Sequence, residues 1–145
     1  MRFVGIDYGK KRIGLSISDA TAFLARPWQV VAVPDPDPEV AAVMIADLFP
    51  RLMIDEDGVD GIVVGLPRRL DGRDNDTTED VRTFARQLQM ITGIEVHLVD
   101  ERLTSVEAEA QLAEREKDWK KRKKQLDAVA AAIILQDFLD SRVRG

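Results

Sequence analysis

The sequence predicts an α/β fold on a mixed sheet, opening as a β-meander and continuing with strands linked by helices. Apolar residues run from Phe3 to Ile6. After Tyr8-Gly9-Lys10, Ile13, Leu15 and Ile17 alternate with Gly14, Ser16 and Ser18, the period of a half-buried strand behind a turn. Gly61 to Gly65 is instead a β-branched run without alternation, the pattern of a strand covered on both faces. Three strands before the first helix, and strands preceded by helices after it, imply an antiparallel first trio and two parallel additions.

Each element has its own signal. The first strand ends at Asp7 and the third is expected from Leu24 to Val33, stopped by Pro34-Asp35-Pro36-Asp37-Pro38, where proline removes donors and disfavours helix before each ring. Pro38 and Glu39 suit the first turn of a helix carrying Val40, Val43, Met44, Ala46 and Leu48, extending to Ile54 with a kink or break at Pro50. Asp76 with Glu79 marks the next helix start, and Gly93 suits its left-handed cap. A strand from Ile94 to Val99 follows. Thr104 with Glu107 reads as a capping box for another helix, and the last helix is expected to begin near Asp127.

At 145 residues, with 45% hydrophobic and 32% charged residues, the chain suits one domain spanning 1–145, with no sign of global disorder. It has no cysteine, which excludes disulfides, thiol nucleophiles and thiolate metal sites, so a metal would need oxygen ligands. MRFVGIDYG lacks the features of a signal peptide and no apolar run is long enough to span a bilayer, so a cytoplasmic location without membrane partners is expected. The net charge of −5 argues against a nucleic-acid binder in bulk. Its distribution argues the other way. Cations cluster at Lys10-Lys11-Arg12, at Arg68-Arg69 and, most densely, at Lys120-Lys121-Arg122-Lys123-Lys124, and such clusters attract phosphate locally.

Several acids could carry chemistry. Asp7 stands at the carboxyl end of a buried strand, where open sheets place ligands, or is a turn aspartate bonding nearby amides. Asp100 and Glu101 end another apolar strand. Strand alternation lets only one of them face Asp7, and Asp100 is read as the cap of the following turn. Asp127 is either a helix N-cap or, with Ala130, Ala131 and Ile134 forming a small apolar face on its side, a carboxylate directed at the strand ends. Three carboxylates in one place repel one another unless a cation neutralises them. Oxygen donors select Mg2+ or Mn2+, and two such ions roughly 4 Å apart serve phosphodiester displacement without a histidine base.

The loop Gly65-Leu66-Pro67-Arg68-Arg69-Leu70-Asp71-Gly72-Arg73 and the segment 117–124 are read as substrate contacts, against the plainer readings of a polar connection and a solvated helix end. Trp119 is expected to pack under lysine stems in preference to stacking on a base, and His97 to be a surface or satisfied strand residue.

These residues resemble the YqgF (RuvX) proteins, a family of pre-16S rRNA nucleases or Holliday-junction resolvase-like proteins. The resemblance covers nearly the whole chain. It rests on Gly5-Ile6-Asp7-Tyr8-Gly9 through Ile13-Gly14, on Ala25-Arg26-Pro27, and on Val64-Gly65-Leu66-Pro67 with Asp71-Gly72. Asp100-Glu101-Arg102-Leu103-Thr104-Ser105 with Glu107-Ala108, and Asp127-Ala128 leading into Ala132-Ile133-Ile134-Leu135, complete it. It implies a ribonuclease H-like fold with sheet order 3-2-1-4-5, a metal-holding catalytic set of Asp7, Glu101 and Asp127, Arg102 among the nucleic-acid contacts, and maturation of the 5′ end of small-subunit rRNA. The chain departs from the family pattern at Trp119 to Lys124, more basic and without glycine, which bears on substrate preference.

Other readings compete. Precursor rRNA, branched DNA and ribosomal assembly intermediates are the candidate partners, and either a monomer or a homodimer is compatible with the sequence. Asp7-x-Gly9 with Gly14 also resembles the phosphate-binding turn of actin-like ATPases and sugar kinases, but those need a second comparable domain that this length does not supply. A ribosome-assembly factor binding RNA without chemistry is the third reading.

Overall fold

A computed structural model describes residues 1–55, 57–67, 75, 77–100 and 119–144, with the backbone alone for 119–125 and 143–144. Strands β1 (Phe3–Asp7), β2 (Arg12–Ser18) and β3 (Ala25–Ala32) form the expected antiparallel meander. β4 (Gly61–Leu66) runs parallel to β1 on its other side, and β5 (Val96–Asp100) parallel to β4. The resulting order β3-β2-β1-β4-β5 is the one the family resemblance implied. Every residue of β4 is buried, as its lack of alternation requires.

Strand alternation sorts the side chains into two layers. Val4, Ile6 and Tyr8 share a core with Ala41, Ala42 and Ile45 of helix α1 (Pro38–Ala46) and with Val81, Phe84 and Leu88 of helix α3 (Thr78–Thr92). Phe3 and Val63, on the opposite face, pack against Ile134, Leu135 and Leu139 of the long helix α4 (Trp119–Arg144). Phe84, wholly buried, alone stabilises the first layer by about 2–3 kcal/mol.

Helix boundaries differ from expectation at informative points. Asp37 caps α1, its Oδ1 accepting the Glu39 N–H at 2.8 Å. The helix stops at Ala46 and restarts as α2 (Phe49–Ile54), with Pro50 in the first turn. Proline cannot donate to the carbonyl four residues back and its ring collides there, so a break puts the ring where its missing N–H is harmless. The N-cap of α3 is Thr77; Asp76 lies outside the described residues, as does the Thr104–Glu107 capping box. Gly93 closes α3 at φ 72°, with its N–H donated to the Gln89 carbonyl at 2.9 Å.

The largest correction concerns α4. It begins at Trp119 and not near Asp127, so Asp127 lies in the helix interior and is no N-cap. Lysine, arginine, glutamine and leucine are good helix formers, and no glycine or proline interrupts 119–126, so nothing ends the helix before the apolar stretch.

Two polar devices tie the layers. Arg2, buried ahead of β1, donates from Nε to the Gly58 carbonyl at 2.7 Å and from Nη2 to the Leu52 carbonyl at 3.2 Å, and pairs with Asp55 at 3.5 Å. At the start of edge strand β3, Gln136 of α4 accepts the Ala25 N–H at 2.9 Å and donates to the Phe23 carbonyl at 2.8 Å.

Candidate active site at the carboxyl end of the first strand

β1 delivers Asp7 to its carboxyl end, half-buried, directly across the ladder from Gly14 of β2. Residues opposite each other in an antiparallel pair project to the same face. The face is identified by what a side chain at position 14 would meet. A Cβ there would overlap the carbonyl group of Asp127 and come within 2.8 Å of the Ala128 nitrogen. Gly14 therefore lets the α4 backbone at Asp127 lie against β2, beside the residue that pairs with Asp7. Sequence positions 14 and 127 meet through a missing side chain.

The same contact repeats one turn along the helix. Gly5, across the ladder from Ser16, leaves room for Leu135 and for the Ala131 carbonyl, 2.8 Å from where a Cβ would sit, and Ser16 Oγ donates to that carbonyl at 2.8 Å. Ala130, Ala131 and Ile134 are buried, as the small apolar face beside Asp127 predicts. A buried hydrogen bond and two glycines thus fix how far α4 slides along the sheet, and that register places Asp127.

The cations near the site enter from the β1–β2 turn. Gly9 is needed there because a Cβ would run into the Arg12 carbonyl. Lys10, Lys11 and Arg12 are all exposed. Arg12 Nε donates to Asp127 Oδ2 at 2.9 Å, so a residue read from the sequence as a phosphate contact is here paired with a candidate metal ligand. Lys120, Lys121, Arg122, Lys123 and Lys124 occupy the opening turns of α4 upstream of Asp127.

The β5 edge turns Asp100 away from Asp7. Val99 packs in the α4 layer, and the His97 ring lies 4.9 Å from that of Phe138, so both face α4. Asp100 pairs with Leu66, a residue of the opposite layer, so it does not share a face with Asp7. His97 is a packing residue with Glu95 3.9 Å from its Nε2, in agreement with the sequence reading. Glu101, Arg68, Arg69, Arg73 and Arg102 lie outside the described residues. Among the described residues no three His, Cys, Asp or Glu side chains are grouped to hold a metal; the structure pairs Arg12 with Asp127 and lays the Asp127 backbone against Gly14, the ladder partner of Asp7.

Behind the site, Tyr8 turns to the α1/α3 layer, its ring 4.9 Å from Phe84 and its hydroxyl buried without a partner among the described residues. Burial raises its pKa, and the carboxylates of Asp80 and Asp37 add to the effect, so the hydroxyl stays protonated. Sequence reasoning missed the Gly14–Asp127 contact and the Ser16 bond. The available signal was glycine and serine at inward positions of apolar strands, which often marks close backbone approach.

Known proteins resemble this chain. A family model described as "RuvX: Holliday junction resolvase" matches residues 1–141. A protein of Maridesulfovibrio salexigens named "Putative pre-16S rRNA nuclease" is 42% identical over 96% of this chain and 98% of its own length. A protein of the same name from Protochlamydia amoebophila is 38% identical over 97% and 94%. Among solved structures, Thermus thermophilus RuvC is similar with a TM-score of 0.58 at 16% identity, covering 99% of this chain and 97% of that one. Fowlpox virus resolvase, solved with substrate Holliday junction DNA, reaches 0.60 at 12% identity over 99% of both chains. These two likenesses establish a resolvase-type, ribonuclease H-like fold. With its sequence matched almost from end to end, the chain belongs to the RuvX family.

Proposed function

We propose that this chain is a cytoplasmic, divalent-metal-dependent nuclease that matures the 5′ end of precursor 16S rRNA, with Asp7, Glu101 and Asp127 as its catalytic acids. The observation that supports it most is the approach of the Asp127 backbone to Gly14, beside Asp7 at a strand end. Glu101 is assigned in preference to Asp100 because Asp100 pairs with Leu66, on the face away from Asp7.

The donor set is all oxygen, which fits Mg2+ or Mn2+, and clustered carboxylates need such a charge to remain ionised together. Bound there, a pair of ions would supply the positive charge that activates water and stabilises the leaving oxygen. The residues of the chain do the rest. Asp7 and Asp127, carried by a strand and a helix locked by Gly14, Gly5 and Ser16, keep their relative position. Lys10, Lys11, Arg68, Arg69, Arg73, Arg102 and Lys120 to Lys124 bind the phosphate backbone on either side of the scissile bond.

The relatives' shared name favours precursor rRNA. The family description favours a second substrate, the four-way DNA junction. Symmetric junction cutting requires two active sites in one assembly, so a two-fold dimer on substrate supports that reading and a monomer the RNA reading. The test incubates purified protein with precursor rRNA and with a four-way junction in Mn2+, beside Asp7→Asn and a chelator control. Cleavage of rRNA at one position by the wild type alone, abolished by chelation, is expected. Equal cleavage by Asp7→Asn would remove Asp7 from the mechanism.

A further inference from the structure

We propose that Arg12 is the resident counter-ion of the acidic site, holding Asp127 until a divalent cation takes that carboxylate and then turning outward to a backbone phosphate of the substrate. This rests on the metal-site reading above.

The geometry fits a side chain that can let go. Arg12 reaches across the hairpin end to Asp127 through Nε, at 2.9 Å, and not through the paired Nη prongs that hold a carboxylate most firmly. Its side chain is 52% exposed against 27% for Asp127, so the pair sits in high dielectric, where such contacts are weak. The backbone beneath it is fixed. Arg12 pairs with Ala32 in the ladder, the Lys11 carbonyl accepts the Val33 N–H at 2.8 Å, and Gly9 packs onto the Arg12 carbonyl. Movement is thereby restricted to the side chain, pivoting from a set point.

Charge gives the exchange its direction. The backbone of Asp127 lies against Gly14, the ladder partner of Asp7, and a monovalent guanidinium pairs with the Asp127 carboxylate. A divalent cation binding that carboxylate carries twice the charge and repels the guanidinium. A released arginine fork is well suited to phosphate, and the exposed Lys10 and Lys11 stand on the same turn. The cost of displacing Arg12 is small, so the exchange is poised to occur on metal entry.

The test titrates Mn2+ into the intact chain without nucleic acid and follows free Mn2+ by its paramagnetic resonance signal, for wild type, Arg12→Gln, Arg12→Lys and Asp127→Asn. Removing the competing cation is expected to tighten Mn2+ binding about two- to fivefold in Arg12→Gln, with Arg12→Lys near wild type and Asp127→Asn weaker than both. Binding of a short duplex RNA is then measured against salt. With Ca2+ present, Arg12→Gln should lose roughly 0.9 or less of the log–log slope, one phosphate contact; with chelator the two slopes should coincide. Unchanged or weaker Mn2+ binding by Arg12→Gln, or an equal slope loss in both conditions, overturns the proposal while leaving the metal reading intact. Absence of Mn2+ binding by the wild type overturns both.

Discussion

Two arginines mark opposite ends of the β1–β2 hairpin and are held in opposite ways. Arg2, at the amino end of β1, is buried, and its guanidinium is spent on the carbonyls of Gly58 and Leu52 and on Asp55. Arg12, at the carboxyl end, is half exposed and meets Asp127 through Nε. A buried cation must have its donors satisfied or the fold loses stability, whereas an exposed pair contributes little. One end of the hairpin is therefore a structural joint, and the other keeps charge available for a ligand.

Substitutions can break or sharpen this contrast. The largest effect is expected from Asp7→Asn, which should slow cleavage roughly a thousandfold or more, several kcal/mol of barrier, with little change in melting temperature. Retained cleavage with an intact melt would move the chemistry elsewhere. Next comes Gly14→Ala. The atoms it overlaps are helix backbone that cannot swing aside, so a loss of roughly 3 kcal/mol in denaturant unfolding is expected, and an unchanged midpoint would mean α4 does not rest there. Arg2→Met should cost about 2 kcal/mol by stranding part-buried carbonyls, while Arg12→Gln should stay within about 0.5 kcal/mol. Equal losses in those two melts would erase the distinction between the ends. Smallest is Tyr8→Phe, which removes a buried hydroxyl without a partner among the described residues and should be neutral or stabilising by up to about 1 kcal/mol. A clear loss of stability would reveal a partner for that hydroxyl.

Much of the fold was legible because the period-two pattern of Ile13, Leu15 and Ile17 and the unalternating run at β4 depend on local geometry and burial, which sequence records directly. Asp7 was legible for the same reason, as the first acid after a buried strand. Asp127 was only half legible. An aspartate after a run of cations resembles a cap, and nothing local reveals that the helix has already begun at Trp119. Its approach to Gly14, the ladder partner of Asp7, is a long-range contact between residues far apart in the chain. Parity along β5 could be counted from sequence once the strand was located, but its observed bounds, Val96–Asp100, are shifted from the expected Ile94 to Val99. Only the ladder with β4 settles which face Asp100 takes.

The Gln136 bridge at the start of β3 bears on how the molecule meets its own copies. A carboxamide offers an acceptor oxygen and a donor nitrogen, the same pair a peptide group of an incoming strand would bring. At Ala25 and Phe23 that pair is already supplied from within. Sheet extension from this corner would first have to evict the glutamine, so an approaching chain finds that stretch of the rim sealed against end-on zippering.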